Sequence, residues 1–428
     1  MLMAKFENVC IDNIDQHRRY KKAESRLFPI YKRDGDIRSP FARDYNRIIH
    51  CFGFRRLKHK TQVFFHPYND HVCTRMEHAL HVAAISMTIC KELGLNTELA
   101  NAIAIGHDLG HAPFGHHGES VLDDLWRKNI EKINVKTENE KNLYFWHEKN
   151  SLFMADSIET VKDDKGFQSN LNLTYAVRDG IICHCGEHEV KNLIPREKDF
   201  DLTKITEPGI TNPYTWEGCV VRVSDIISYL GRDIEDAEMS DIVDDMMLNE
   251  LKDTINKKTK FDLADLSNGV VIHKLILDLC KASHPKKGLS FSEDGIQLIN
   301  IIKNFDYKSI YRDEKIGTNK KFISLVLETI FNELKEYYDK NIVYCLLKLQ
   351  KKQASVYQEF VRWLERYHEP FNGEYENKYI SGEKTRKNIR PIYNIKEEKD
   401  YMRAIIHYMS GFTDNFALSA YDDVKSII

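Results

Sequence analysis

At 428 residues the chain exceeds the ~250–300 at which a single hydrophobic core stops growing, so a large domain with a second lobe is expected. Apolar residues at 42% and aromatics at 11% exclude a disordered chain, and a net charge of −3 excludes a global pull toward nucleic acid or anionic membrane. No apolar run approaches the ~18 residues of a membrane span and Met1–Ile11 lacks a signal-peptide core, so the expected location is cytoplasmic, with no membrane partner.

Residues 1–40 read as an N-terminal segment. The alternation across Thr61-Gln62-Val63-Phe64-Phe65 suggests a short strand or ribbon at Gln62–Phe65. Met76, Ala79, Leu80, Ala83, Met87 and Cys90 recur every three or four residues and predict a helix over about Thr74–Leu93, ended by Gly94. Leu99, Ala102, Ile103 and Gly106 continue the pattern in a second helix from about Thr97 to Asp108. Gly110, Pro113 and Gly115 then break the chain, and a new helix is expected from near His116 to about Trp126. Helical patterns follow at Glu148–Thr160, Leu171–Cys183, Trp216–Ala237, Val270–Cys280, Phe322–Tyr338, Val343–Tyr367 and Lys399–Leu418. The polar stretches Arg127–Asn142, Pro195–Asn212 and Asn372–Arg390 read as loops or insertions. The expected class is all-α with at most a short β ribbon: a site-bearing body over residues 41–238 and a helical C-terminal lobe over 239–428. Nine scattered cysteines without a C-x-x-C spacing read as reduced structural thiols.

Eight of the 18 histidines, at 66, 71, 78, 81, 107, 111, 116 and 117, crowd a stretch where an even spread would place about two. Imidazoles beside carboxylates are costly to bury unless paired, ligated or catalytic. His107 and Asp108 are adjacent at a helix end, where successive side chains can reach one ion. His78 lies on the preceding helix, antiparallel across the Gly94–Asn96 turn. Asp225, a lone carboxylate in the apolar run Cys219–Ile227, is the best fourth ligand; an N-cap or a pair with Arg222 is the alternative. Two imidazoles and two carboxylates suit Mn²⁺, Mg²⁺, Fe²⁺ or Co²⁺ better than a closed zinc site. His116 and Glu119, at i,i+3, face the same way and can form an acid/base dyad, while His111 can bind or protonate phosphoryl oxygens. Arg75 suits a phosphate oxygen, or else an ion pair with Glu77 or Asp70. The basic run Arg55–Lys60 is either a solvated helix face or a contact for nucleotide phosphates or single-stranded DNA.

His78, His107–Asp108 and Asp225 together resemble the H…HD…D pattern of the HD-domain phosphohydrolases. The stretches Arg47–His50, Phe54–Phe64, Thr74–His78, His107–Glu119 and Tyr408–Asp414 are more closely similar to the dGTP triphosphohydrolase family. The resemblance covers about residues 40–420 and implies an HD-domain helical fold with a catalytic domain over 41–238. It implies metal-dependent hydrolysis of deoxynucleoside triphosphates, dGTP among them, to deoxynucleoside and inorganic triphosphate. It also implies function for His111 and His116, and contact of Gln62, Tyr229 and Asp233 with the sugar 3′-hydroxyl. Tyr229 is otherwise a core aromatic. At His147-Glu148 the chain departs from the Gly-Asn-Ala-Gln-Ser sequence of many bacterial relatives. It resembles there the eukaryotic sterile-alpha-motif/HD-domain dNTPases, which adds His147 as a phosphate-side acid and leaves guanine preference open. Relatives assemble as homo-oligomers, tetramers or hexamers, and a nucleotide activator or single-stranded DNA are the further partners to test. The rivals are another HD-domain nucleotidase, and a nucleotide-sensing or single-strand-binding protein without turnover. His184-Cys185-Gly186-Glu187-His188 resembles a pocket segment of the family but carries no role on its chemistry.

Overall fold

The computed structural model describes residues 5–13, 16–30, 35–65, 71–133, 145–163, 166–186, 191–368, 386–387 and 391–426. His66, Asp70, Glu187, His188 and most of the Asn372–Arg390 stretch lie outside them. In chain order the helices are α1 (His17–Ala23), α2 (Pro40–His50), α3 (Phe52–Arg56), α4 (Arg75–Leu93), α5 (Thr97–Gly106), α6 (Gly115–Ile130), α7 (His147–Phe153), α8 (Tyr175–Ile182) and α9 (Trp216–Met239). They continue as α10 (Asp245–Lys258), α11 (Asn268–Ala282), α12 (Glu293–Phe305), α13 (Glu314–Glu336), α14 (Ile342–Gln350), α15 (Ser355–Tyr367), α16 (Glu398–Ser410) and α17 (Asp414–Lys425). The class is all-α, as the periodicity implies.

The chain divides into two compact units, each drawn from three separate stretches. The first comprises residues 1–50, 61–108 and 172–318, and its centre is α4, α5 and α9 packed on one another, with α2 against α5. Buried Ala79, Val82, Ile89, Leu99, Ala102, Ile103, Val220, Val223 and Ile227 fill the contact. The start of α4 is fixed by a capping box, in which Thr74 and Glu77 satisfy each other's backbone donors, and Gly94 closes it at φ 78°. The sequence places this helix to within a residue because both ends carry chemistry of their own.

The second unit comprises residues 51–60, 109–171 and 319–428. Its three-stranded sheet joins β1 (Thr160–Lys162) antiparallel to β2 (Gln168–Asn170), and β2 parallel to β3 (Arg386–Lys387). The ribbon expected at Gln62–Phe65 is not there: Thr61 makes one isolated bridge to Thr74 and no strand follows. The helix expected over Glu148–Thr160 stops sooner, passing through a π turn at Met154–Ile158 into β1. α6 runs past Trp126 to Ile130, into the stretch read as a loop. Val343–Tyr367 and Lys399–Leu418 are each two helices. The second break falls at Gly411, after which Thr413 restarts the chain by accepting from the Phe416 backbone N–H.

The loop from Leu109 to Phe114 is clamped within this unit. Gly110 donates its N–H to Ser151 Oγ at 2.8 Å, and Asn150 Nδ2 donates to the Gly110 carbonyl at 2.6 Å. Lys60, 2% exposed, donates through Nζ to the carbonyls of His111 and Ser410. Asp414 accepts from the Phe114 N–H at 2.8 Å and holds Phe114 at φ 63°. Lys60 and Arg56, which is paired with Glu159, are therefore internal ties, and the basic run is not a uniformly solvated face. A Cβ on Gly110 would lie 2.1 Å from Ser151 N and 2.3 Å from Asn150 C, both backbone atoms that cannot swing aside. Gly110→Ala is expected to cost about 3 kcal/mol, the upper range of overpacking, read as a lower denaturant midpoint with unchanged m-value.

Candidate active site

The proposed metal ligands converge within the first unit. His107 caps the C-terminus of α5, and its Nδ1 lies 2.6 Å from the Ala104 carbonyl. A carbonyl can only accept, so Nδ1 carries the proton and the Nε2 lone pair points away from the helix. There it meets Asp108 Oδ1 at 3.2 Å and Asp225 Oδ1 at 3.9 Å. Nε2 is buried without a hydrogen-bond partner, and burial holds the imidazole down at about 4, hence neutral. Three acceptors facing one another with no proton between them fit a cation.

His78, on α4, places Nε2 2.9 Å from Asp225 Oδ1, and Ser228 Oγ lies 3.3 Å from its Nδ1. Burial opposes charge on His78, but the Asp225 carboxylate outweighs it and raises the imidazole. Burial likewise disfavours ionised Asp225, yet the bond to His78 holds it well below the usual carboxylate range. Asp108 Oδ2 accepts from Arg75 Nη1 at 2.8 Å, while Oδ1 faces His107. Ligand atoms of His78, His107 and Asp108, and of His107, His184 and Asp225, lie within 4.8 Å of one another as two overlapping groups.

His184 is the residue that sequence reasoning leaves without a role. Its Nδ1 lies 2.6 Å from the Ile181 carbonyl, repeating at i−3 the device that orients His107, and the two rings meet edge-on at 4.8 Å. The signal is a histidine just beyond a helix end, the same placement as His107. Arg75, 1% exposed, is committed to Asp108 and, at 3.4 Å, to the Gln62 carbonyl. It does not pair with Glu77, whose carboxylate caps α4. Arg222 donates to the Gly209 carbonyl and leaves Asp225 to His78. Gln62 is buried with Oε1 lacking a hydrogen-bond partner. Further along α9, Tyr229 lies under Lys303 Nζ, 5.7 Å from the ring centroid, and buried Asp233 accepts from the Tyr311 hydroxyl. Tyr311 is a second residue that the motifs alone do not supply.

The second unit gathers His111, His116, Glu119 and His147. The closest pair is Glu119 with His147, not with His116: its carboxylate accepts from the His147 backbone N–H at 2.9 Å and lies 3.0 Å from Nδ1. His116 Nδ1 is 3.5 Å from Glu119, and its side chain is 67% exposed. The His111 and His147 rings stack at 3.8 Å. Burial opposes charge on Glu119, but the flanking His147 and His116 outweigh it and keep the carboxyl ionised. The i,i+3 spacing of His116 and Glu119 thus brings them together as expected, while the tighter partner comes from α7. His117 is structural, its Nε2 facing the Lys320 carbonyl and Ser324 Oγ at 2.8 and 3.0 Å.

Known proteins bear directly on this arrangement. The HD domain family matches residues 75–230. Proteins named deoxyguanosinetriphosphate triphosphohydrolase-like are similar over most of their length. That of Clostridium tetani is 35% identical over 73% of this chain and 76% of its own, and that of Desulfatibacillum aliphaticivorans 34% over 72% and 75%. That of Caldanaerobacter subterraneus subsp. tengcongensis is 30% identical over 94% of this chain and 90% of its own. The chain belongs to the deoxyguanosinetriphosphate triphosphohydrolase-like family of HD-domain proteins. The matched residues include all four proposed ligands. Among the described residues no helix is long and apolar enough to cross a membrane, and all nine cysteines are free thiols.

Asp108→Ala removes a proposed ligand and the carboxylate partner of Arg75. The variant is expected to lose bound divalent metal while keeping its helical content, measured by elemental analysis beside circular dichroism. Full metal occupancy would exclude Asp108 as a ligand.

Proposed function

We propose that this protein is a metal-dependent deoxynucleoside triphosphate triphosphohydrolase, releasing deoxynucleoside and intact triphosphate. The observation that carries the reading is the neutral His107 Nε2 facing two carboxylate oxygens in a buried site, a donor set suited to Mn²⁺, Mg²⁺, Fe²⁺ or Co²⁺. A divalent ion held by His78, His107, Asp108 and Asp225 would acidify a bound water and polarise the α-phosphate.

The remaining chemistry belongs to side chains. Arg75 holds Asp108 in its ligating orientation through a buried charge-assisted bond. Expulsion of the 5′-oxygen needs a proton at that atom. His147, fixed by Glu119 through Nδ1, presents Nε2 as the donor, with Glu119 stabilising the imidazolium. His116 stands exposed beside Glu119, and His111, stacked on His147, takes phosphoryl oxygens. Asp233 follows Asp225 by eight residues, about 12 Å along α9. Allowing for side-chain lengths, that is about the reach between a metal at the α-phosphate and the far side of a deoxyribose, and supports Tyr229, Asp233 and Gln62 as contacts for the 3′-hydroxyl.

In ¹⁸O-labelled water the label is expected in triphosphate and not in the nucleoside 5′-hydroxyl; monophosphate and pyrophosphate as products would defeat the reading. Glu119→Gln is expected to lower kcat about 10²–10⁴-fold with metal content unchanged, and an unaltered kcat would remove the Glu119–His147 pair from the chemistry. Asp233→Asn is expected to lower dNTP turnover with metal retained. Equal turnover of GTP and dGTP by the wild type would show that the α9 stripe does not read the sugar.

A further inference from the structure

A cavity of about 240 Å³ lies within the second unit, between α6, α7 and α16. Its walls are largely aromatic: Trp126 from α6, Phe145, and Trp146 and Phe153 at the two ends of α7. Two cations join them, Lys149 from α7 and Arg403 from α16, and among the described residues no aspartate or glutamate lines it. Lys149 Nζ stands 6.0 Å from the Trp146 ring centroid, and burial pushes its amine down. Arg403 is paired with Asp400 at 3.2 Å and donates from Nη2 to the Ile392 carbonyl, while its Nε is buried without a hydrogen-bond partner. His407, also in the wall, is held neutral by burial. Two cations against one carboxylate leave a single positive charge beside apolar walls.

Size, walls and charge together define an occupant. An apolar cavity of ~150 Å³ holds a benzene ring, and drug-sized ligands fill about 300–1,000 Å³. A cavity between these limits suits one ring with a short acidic arm. A nucleoside triphosphate is too large for it and too strongly charged for one cation. Aromatic walls favour a ring, which can stack on them or meet them edge-on, and a partly desolvated ammonium favours a carboxylate. We propose that this cavity binds a small aromatic monocarboxylate as an effector, with the carboxylate on Lys149 and the ring among Trp126, Trp146 and Phe153.

The cavity shares its helices with the Glu119–His147 pair. At 3.6 residues per turn, Trp146, Lys149 and Phe153 fall on one side of α7, and His147 and Ser151 on the other. Trp126 follows Glu119 by two turns on the same side of α6. Asn150, which also lines the cavity, donates to the Gly110 carbonyl at 2.6 Å and to Ser410 Oγ at 3.0 Å. It ties the cavity wall to the loop that carries His111. With only seven residues, α7 owes its stability to packing. A ring seated against Trp146 and Phe153 adds to that packing and holds His147 against Glu119, so occupancy raises kcat. The activating role rests on the assignment of the Glu119–His147 pair to hydrolysis; the binding site does not.

The test titrates the metal-loaded full chain with phenylacetate, phenylacetamide and cyclohexylacetate by calorimetry, in the wild type and in Lys149→Met. Wild type is expected to bind phenylacetate about 10–100-fold more tightly than the amide, the effect of a charge-assisted bond, and more tightly than the cyclohexyl acid. Lys149→Met is expected to bring acid and amide to equal affinity, and its retained binding of the amide shows that the cavity is still formed. Saturating phenylacetate is expected to raise the wild-type kcat at least about fivefold, the lower end of ordinary coupling between sites, with metal content unchanged. No binding of phenylacetate, equal binding of acid and amide by the wild type, or an undiminished preference for the acid in Lys149→Met would overturn the site. Binding without a change in kcat would overturn the effector role. If the ligand-free enzyme releases triphosphate from no dNTP, the hydrolase reading falls and the activating role with it, while the binding comparison still decides the site.

Discussion

The site depends on one hydrogen bond, from His107 Nδ1 to the Ala104 carbonyl. At the end of α5 the last carbonyls lack intrahelical donors, and the imidazole that follows supplies one. The bond fixes the tautomer, and with it the direction of the Nε2 lone pair, into a buried space already edged by Asp108 and Asp225. Burial keeps the ring neutral, and so keeps the lone pair available for an ion. His184 repeats the arrangement from the end of α8. Two helix ends thus aim imidazoles by the same backbone device, and Arg75 does the equivalent for Asp108.

In the second unit a comparable economy governs the Leu109–Phe114 loop. Its glycine, its carbonyls and a left-handed Phe114 are each held by a side chain from a distant stretch: Asn150 and Ser151 of α7, Lys60, and Asp414 at the start of α17. Motifs widely separated in sequence are therefore parts of one support. The C-terminal Gly-Phe-Thr-Asp sequence acts through a helix break, a cap and one carboxylate, with no direct role in chemistry needed to explain it.

Much of this is legible in the sequence. α4 and α5 carry apolar periodicity with strong caps, and His78, His107, Asp108 and Asp225 stand out because charge in an apolar run must be compensated. The joined helices at Val343–Tyr367 and Lys399–Leu418 are misread because apolar spacing continues across their breaks. The strand expected at Gln62–Phe65 fails because alternation without a pairing partner builds no ladder; the strands that form are only two or three residues long, too short to show a period. The choice of His147 over His116 as the close partner of Glu119 is a tertiary fact, since α7 is distant in sequence from α6. His184 and Tyr311 are invisible for the same reason: their meaning lies in a carbonyl three residues back and a carboxylate on another helix.

The most direct test of a metal held by oriented imidazoles is pulsed electron paramagnetic resonance on the protein reconstituted with Mn²⁺. One Mn²⁺ per chain with ¹⁴N couplings from imidazole, diminished in His107→Ala, is the result the proposed ligand set predicts. A bound Mn²⁺ with an all-oxygen shell, indifferent to His107, would contradict it.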